Sequence, residues 1–153
     1  MISLPLFLLA VFAVAFSGSR FKPDAWYATL SKPIWNPPNW LFAPVWTVLY
    51  VLIALAGWLA WQATGDFAHP AMMFWVVQLL LNLLWSFLFF RRHSPAMALL
   101  DIGMLLAMTL GFIVTALPVS PLAALLFAPY AVWVAFATFL NLALWSMNRR
   151  SLA

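Results

Sequence analysis

The sequence predicts an all-α integral membrane protein, a bundle of five transmembrane helices with its amino terminus outside and its carboxy terminus in the cytoplasm. Of the 153 residues, 67% are hydrophobic and 7% are charged, which is far too apolar for a soluble domain. Several stretches without charge reach the roughly 20 residues that a spanning helix needs. With five helices, all seven Lys and Arg fall on one side of the membrane, as expected for cytoplasmic loops.

The boundaries of the helices follow from residues that interrupt the apolar stretches. The last stretch breaks at 118–121, because Ser120 can cap a new helix and Pro121 can occupy its first position. The helices are predicted near residues 2–20, 41–63, 70–90, 95–117 and 121–147, and a loop is predicted over 21–40. These elements use almost the whole chain, so we expect a single transmembrane domain over 1–153.

The basic residues support this orientation and argue against a nucleic-acid partner. They lie in the first loop, after the third helix and after the fifth helix: Arg20, Lys22, Lys32, Arg91, Arg92, Arg149 and Arg150. The amino terminus, the loop around Asp66 and the loop around Pro118 contain none. Membrane topology explains the net charge of +4 better than phosphate binding does.

The residue types exclude most catalytic chemistry. The chain contains no Cys, and its only carboxylates are Asp24, Asp66 and Asp101. His69 and His93 lie near opposite membrane surfaces in the predicted topology, so they cannot share a metal ion. No Ser/His/Asp arrangement and no glycine-rich phosphate loop is present in the sequence. We therefore expect no metal site, no obligatory cofactor and no hydrolytic activity.

Polar and aromatic side chains at helical spacing converge in the inner half of the predicted bundle. They are Trp46 and Tyr50 on the second helix, Gln78, Asn82, Trp85 and Ser86 on the third, Asp101 on the fourth, and Tyr130, Trp133, Ala137 and Asn141 on the fifth. A mostly apolar surface with a few polar groups is typical of small-molecule sites between helices, and indole faces suit a planar apolar ligand. Taken singly, each of these residues is better explained by helix–helix hydrogen bonds or an interfacial aromatic belt, and only their combination favours a site.

The first loop is predicted to cover this site as a lid. Lys32, Trp35, Asn36, Pro37 and Pro38 belong to a proline-rich segment whose restricted torsions favour a stiff, extended path. The alternative is a membrane-surface loop whose indoles lie at the level of the lipid headgroups.

The fourth helix has two features that allow more than one interpretation. Asp101 could anchor a ligand, pair with a basic loop residue or stabilise the helix dipole. Gly103, Ala107 and Gly111 form a small-residue stripe that favours close packing within the monomer. A homodimer seam is the other use of such a stripe, and self-association is expected.

The chain resembles the translocator protein family, the tryptophan-rich sensory proteins also called peripheral benzodiazepine receptors, over nearly its whole length. The resemblance is carried by Trp26-Tyr27, by Lys32-Pro33 with Trp35 and Pro37-Pro38, by Ala43-Pro44-Val45-Trp46 with Tyr50, by Gln78 with Asn82, by Ala98 to Asp101, and by Pro129-Tyr130 to Asn141. It implies a five-helix bundle that binds porphyrins, sterols and isoquinoline-type drugs in a pocket beneath the first loop.

Carried over residue by residue, the resemblance implies a ligand-binding pocket formed by Tyr27, Trp46, Tyr50, Gln78, Asn82, Trp85, Asp101, Trp133, Ala137 and Leu140. The implied ligand is a porphyrin such as protoporphyrin IX or a haem-like molecule. Its ring is expected between Trp46, Trp85 and Trp133, with its propionates directed toward Lys22, Lys32 or Asn82. The implied role is tetrapyrrole handling or stress-linked regulation in a bacterial cell membrane.

The resemblance also carries two alternative functions. Trp46 and Trp133 match tryptophans linked in bacterial relatives to light- and oxygen-dependent porphyrin degradation, for which they would be the catalytic residues. Transport of porphyrin or sterol-like ligands across the membrane is the second alternative. The stretch from Leu140 to Arg149 lacks the Tyr of the cholesterol pattern found in animal members, which argues against sterol binding.

Overall fold

The computed structural model describes residues 4–18 and 25–152, and every regular element among them is helical. The elements are α1 (Leu4–Gly18), α2 (Ala25–Thr29), α3 (Asn39–Thr64), α4 (Pro70–Ser86), a π-helical segment (Phe87–Arg91), α5 (Pro95–Ala116) and α6 (Pro121–Leu152). The prediction of an all-α protein is therefore confirmed.

Four of the described helices are long and apolar enough to cross a membrane: α3, α4 with the π-helical segment, α5 and α6. The apolar helix α1 is shorter over the residues that the structure describes. The ends predicted for it, near residues 2 and 20, lie outside those residues, as do Arg20 and Lys22.

Three helices begin with the same local device, a polar side chain that caps the helix and a proline in its first turn. The capping pairs are the His69 Nδ1 with the Ala71 N–H at 3.1 Å, the Ser94 Oγ with the Met97 N–H at 3.3 Å, and the Ser120 Oγ with the Ala123 N–H at 3.3 Å. Proline fits this position because its missing N–H would have no partner within the helix. The predicted roles of Ser120 and Pro121 are confirmed.

The helices α1, α3, α4, α5 and α6 form a closed ring. Helix α1 packs against α3 and α4, α4 packs against α5, α5 against α6, and α6 against α3. Phe112 of α5 and Phe127 of α6 meet near the end of the bundle where α5 ends and α6 begins. The centroids of their phenyl rings are 4.2 Å apart. The end of the bundle that carries Arg91, Arg92, Arg149 and Arg150 is called the inner end below. There α2 lies against the π-helical segment, because Trp26 meets Phe89 edge to face at 5.7 Å and also stacks on His93 at 4.3 Å.

Two elements differ from the prediction. The loop predicted over 21–40 contains the short helix α2, which is closed by a hydrogen bond from the Thr29 hydroxyl to the Trp26 carbonyl at 2.6 Å. The helix predicted over 70–90 changes to π-helical geometry from Phe87 onward. A π turn takes in one more residue than an α turn, so the side chains that follow are rotated around the axis.

The small-residue stripe of α5 does not pack within the monomer along its whole length. Gly111 lies close to the Phe74 ring of α4, as the stripe predicts. Gly103 and Ala107 are exposed, and no atom lies within 4 Å of a Cβ built at Gly103. The expectation of internal packing is therefore wrong for these two residues, which face the outside of the bundle. Self-association stays a prediction.

Gly57 permits the closest approach between α3 and α4. The Trp75 indole lies across this glycine, and its Nε1 donates a hydrogen bond to the Ile53 carbonyl at 2.9 Å. A Cβ at residue 57 would overlap the Trp75 ring. Trp75 is itself buried, so it has little room to move away.

We expect Gly57→Ala to destabilise the protein by about 1–3 kcal/mol, because an added methyl overpacks the contact with Trp75. Gly103→Ala is the matched control, since the same methyl at residue 103 meets open space. Thermal unfolding in detergent, followed by circular dichroism, would compare the two variants. Equal melting temperatures would contradict this account of Gly57.

Candidate ligand-binding site

A cavity of about 330 Å³ lies in the inner half of the bundle. Its wall is mostly aromatic, with a few polar residues and small or aliphatic residues between them. The aromatic residues are Tyr27, Phe42, Trp46, Tyr50, Trp85, Phe89, Phe90 and Trp133, and the polar ones are Asn82, Ser86 and Asn141. This volume is at the lower end of the range of about 300–1,000 Å³ that small-molecule sites occupy.

One wall of the cavity is an interlocked aromatic group from α3 and α6. The Trp46 and Trp133 rings meet edge to face, with centroids 6.2 Å apart and planes 87° apart. Phe42 meets Trp133 in the same way at 6.0 Å, and Tyr50 lies 5.4 Å from Trp46. Edge-to-face contacts are favourable beyond the area they bury, so they fix the orientation of both indoles.

A second part of the wall is positioned by Asn141, whose hydrogen bonds connect three helices. The Trp85 Nε1 of α4 donates to the Asn141 Oδ1 at 2.8 Å, and the Asn141 Nδ2 donates to the Pro95 carbonyl of α5 at 2.8 Å. Phe89 stacks on Trp85 with a centroid distance of 5.1 Å. Trp85 therefore presents its ring to the cavity in one defined orientation.

A chain of buried hydrogen bonds lies behind the cavity. The Asn82 Nδ2 donates to the Tyr130 hydroxyl at 2.9 Å, Tyr130 donates to the Gln78 Oε1 at 2.9 Å, and the Gln78 Nε2 donates to the Trp75 carbonyl at 2.9 Å. The Tyr50 hydroxyl makes a longer contact of 3.4 Å to the Asn82 Oδ1. Asn82 lines the cavity, and its Oδ1 receives only this long contact among the described residues, so it keeps the capacity to accept a further hydrogen bond.

Tyr27 of α2 closes the cavity at its inner end. The Lys32 ammonium lies 4.6 Å from the centre of the Tyr27 ring and donates to the carbonyls of Tyr27 at 2.8 Å and Leu30 at 3.2 Å. The Tyr27 hydroxyl lies 3.5 Å from the Asn36 Oδ1. Burial raises the pKa of the Tyr27 phenol, and the contact with Asn36 only partly opposes this, so the residue covers the site as a neutral ring.

The sequence profile of the TspO/MBR family matches residues 3–146. The chain belongs to this family. It is 42% identical to the tryptophan-rich protein TspO of Chlorobaculum tepidum over 89% of each chain. It is 40% identical to that of Archaeoglobus fulgidus, with 92% of this chain and 94% of the relative covered. The translocator protein of Homo sapiens is 38% identical, with 93% and 88% covered. The resemblance inferred from the sequence is confirmed.

Eight of the ten pocket residues implied by this family line the cavity: Tyr27, Trp46, Tyr50, Asn82, Trp85, Trp133, Ala137 and Leu140. The other two, Gln78 and Asp101, lie behind its wall, so a direct contact between either of them and a ligand stays a prediction. Gln78 acts in the structure as the acceptor that positions Tyr130.

The lid residues Lys32, Trp35, Asn36, Pro37 and Pro38 support the cavity from outside rather than lining it. Lys32 and Asn36 contact Tyr27, Trp35 meets Phe136 of α6 at 5.7 Å, and Pro38 immediately precedes α3. The loop therefore acts on the site through the Tyr27 ring.

The sequence missed the aromatic contribution of the π-helical segment. Phe89 and Phe90 both line the cavity although they are adjacent in sequence. In a regular α-helix, neighbouring residues are about 100° apart around the axis. Helical spacing alone therefore predicts that Phe89 and Phe90 point in different directions. The sequence signal for this contribution is the cluster of aromatic residues from Phe87 to Phe90. Residue spacing does not predict that this cluster has π-helical geometry.

Asp101 has an unusual environment. It is 4% exposed, and neither carboxylate oxygen has a hydrogen-bond partner among the described residues. It lies two turns into α5, where the helix dipole contributes little. The described part of the chain contains no group of three or more metal-ligating side chains. Of the three interpretations of Asp101, the helix dipole is therefore the weakest.

Because an unpaired carboxylate is costly inside a protein, we expect Asp101→Asn to raise the stability of the ligand-free protein by about 1–3 kcal/mol. Asp66→Asn is the matched control, since Asp66 is exposed in the loop before α4. Thermal unfolding in nanodiscs measures both. A lower melting temperature for Asp101→Asn would mean that the carboxylate has a stabilising partner and would overturn this interpretation.

Proposed function

We propose that the protein is a membrane receptor for planar, apolar ligands of the tetrapyrrole class and that it serves their handling or stress-linked regulation. The observation that carries this proposal is the convergence of three indoles, Trp46, Trp85 and Trp133, from three different helices on one cavity. Indole faces offer large, rigid stacking surfaces to a flat ring. Family membership supports the same class of ligand.

The charge distribution constrains how such a ligand would lie. No Lys or Arg is among the lining residues that the structure describes, and the Lys32 ammonium already donates to two carbonyls at the inner end. A porphyrin with carboxylate groups would therefore direct them toward this inner end, because burying them between the apolar walls is costly. Lys22, the other predicted cation, lies outside the described residues.

The same charge distribution supports the proposed orientation in a bacterial cell membrane. Trp26 contacts His93, and Ser31 contacts Asn148, so the first loop, the Arg91–Arg92 pair and the Arg149–Arg150 pair lie at one end of the bundle. Asp66 lies in the loop at the opposite end. We place the basic end in the cytoplasm, since Lys and Arg accumulate there.

The edge-to-face pair of Trp46 and Trp133 favours one alternative function, light-dependent oxidation of a bound porphyrin by oxygen. Both indoles line the cavity, and the Trp133 Nε1 is buried without a hydrogen-bond partner among the described residues. An indole beside an excited porphyrin is positioned to react with it. This alternative requires the same binding site and adds a chemical step.

We expect the double variant Trp46→Ala, Trp133→Ala to lose most of its affinity for protoporphyrin IX, at least tenfold, because two stacking surfaces worth about 1 kcal/mol each are removed. The shift of the porphyrin absorption band in a detergent titration measures binding. Trp61→Phe is the control, since Trp61 lies at the outer end of α3, where it stacks on Phe67.

Two outcomes of this titration are informative. Unchanged affinity in the double variant, with both proteins folded by circular dichroism, would contradict the proposed position of the ligand. Illumination of the same samples in air tests the alternative. If the parent protein bleaches the porphyrin to a distinct product and free tryptophan does not, the second function is favoured.

We also expect the loop to control ligand release. Asn148 donates to the Ser31 carbonyl at 2.8 Å and accepts from the Ser31 N–H at 2.9 Å, which ties the loop to α6. Asn148→Ala removes both bonds, worth roughly 1 kcal/mol each, and should speed porphyrin dissociation about tenfold or more. Stopped-flow displacement measures this rate.

Ser146→Ala is the control for this experiment, because the Ser146 hydroxyl bonds only within its own helix, to the Ala143 carbonyl at 3.0 Å. Equal dissociation rates in the two variants would mean that the ligand leaves without movement of the loop at Ser31.

A further inference from the structure

The proline segment, residues 32–40, comprises the end of the first loop and the first two residues of α3, and it runs along α6 away from the inner end. Its beginning is fixed at the inner end, where Ser31 exchanges two hydrogen bonds with Asn148. Trp35 then reaches Phe136, with ring centroids 5.7 Å apart. Phe136 and Asn148 are twelve positions apart on α6, which corresponds to about 18 Å along the helix axis.

The level of the membrane surface is marked by charges near Asn148. Arg149 and Arg150 follow it directly, and all four arginines after α4 and on α6 are exposed. Trp145, whose ring lies 5.4 Å from the Arg149 guanidinium, is at the boundary where indoles commonly lie. Phe136 lies more than two turns further from the charges than Trp145, so Trp35 is beneath the headgroups.

The side chains of the segment divide into two directions. Pro37 is buried, and Trp35 contacts Phe136 of α6 while 47% of its side chain stays exposed. Ile34 is fully exposed, and Trp40 is 72% exposed. Ile34 lies on the loop and Trp40 in the first turn of α3. Large apolar side chains exposed at the surface of a membrane bundle indicate contact with hydrocarbon rather than with water.

The backbone of the segment has few N–H groups that need a partner. Each unsatisfied backbone group is costly in hydrocarbon, so irregular chain normally avoids it. Three of the seven residues from 32 to 38 are prolines and have no N–H to satisfy. The Asn36 N–H donates to the Pro33 carbonyl at 3.0 Å, and the Asn36 Nδ2 donates to the Pro37 carbonyl at 3.2 Å.

We propose that the outer edge of the proline segment is a lipid-binding surface, with Ile34 and Trp40 embedded among the acyl chains of the leaflet on the basic side. The partner is the hydrocarbon of the bilayer, and the five described cations at this end hold the surrounding headgroups by their charge. When the segment moves away from α6, the cavity is then exposed to the membrane interior rather than to water. This inference does not depend on the identity of the ligand.

The absence of Cys allows a direct measurement of depth. Ile34→Cys would be labelled with an environment-sensitive fluorophore and the protein placed in nanodiscs. Quenching by phospholipids brominated along the chain reports acyl contact, and quenching by iodide reports water. Phe139→Cys, an exposed position about one turn from Phe136, is the membrane reference, and Ala68→Cys, exposed in the loop before α4, is the aqueous reference.

We expect the label at residue 34 to lose fluorescence to brominated chains as strongly as the label at residue 139 and to resist iodide. Strong quenching by iodide, as at residue 68, would overturn the proposal. Quenching by both agents would place the segment among the headgroups and would also overturn it. Trp40→Cys repeats the measurement at the second position, so that a local effect of the label at residue 34 cannot decide the result.

Discussion

The inner half of the bundle depends on buried side-chain amides that join neighbouring helices. Asn141 connects α4 to α5 through the Trp85 indole and the Pro95 carbonyl. Asn82 connects α4 to α6 through Tyr130. Because lipid offers no competing hydrogen bond, separating these helices would leave polar groups unsatisfied. The amides thus hold the helices in a fixed relation, and bulky indoles keep them far enough apart to leave a cavity.

The helices could be read from the sequence because each is determined locally. Long apolar runs give the spans, and Ser120 with Pro121 or Ser94 with Pro95 gives the starts. The convergence of Trp46, Asn82 and Trp133 was also accessible, because four-residue spacing and membrane depth together fix where a side chain lies. Spacing could not give the π turn, through which both Phe89 and Phe90 contact Tyr27 of α2.

Asp101 and the small-residue stripe show a second limit of sequence reasoning. Both belong to α5, and helical periodicity says which residues share a face but not which neighbour that face meets. Gly111 meets Phe74, whereas Gly103 on the same stripe has no neighbour within 4 Å among the described residues. Asp101 is buried although nothing described pairs with it. The direction of each face is decided by the ring of helices as a whole, which is information that one segment does not contain.

The first loop makes contacts that fit both of the roles that the sequence offered as alternatives. Its inward contacts, Lys32 and Asn36 on Tyr27 and Trp35 on Phe136, connect it to the residue that closes the cavity and to α6. Its outward residues, Ile34 and Trp40, have the exposure expected of membrane contacts. Because one stiff segment carries both the inward and the outward residues, movement of one group of residues must move the other. Binding, transport and photo-oxidation all need the same cavity, so the geometry of the cavity does not by itself distinguish them.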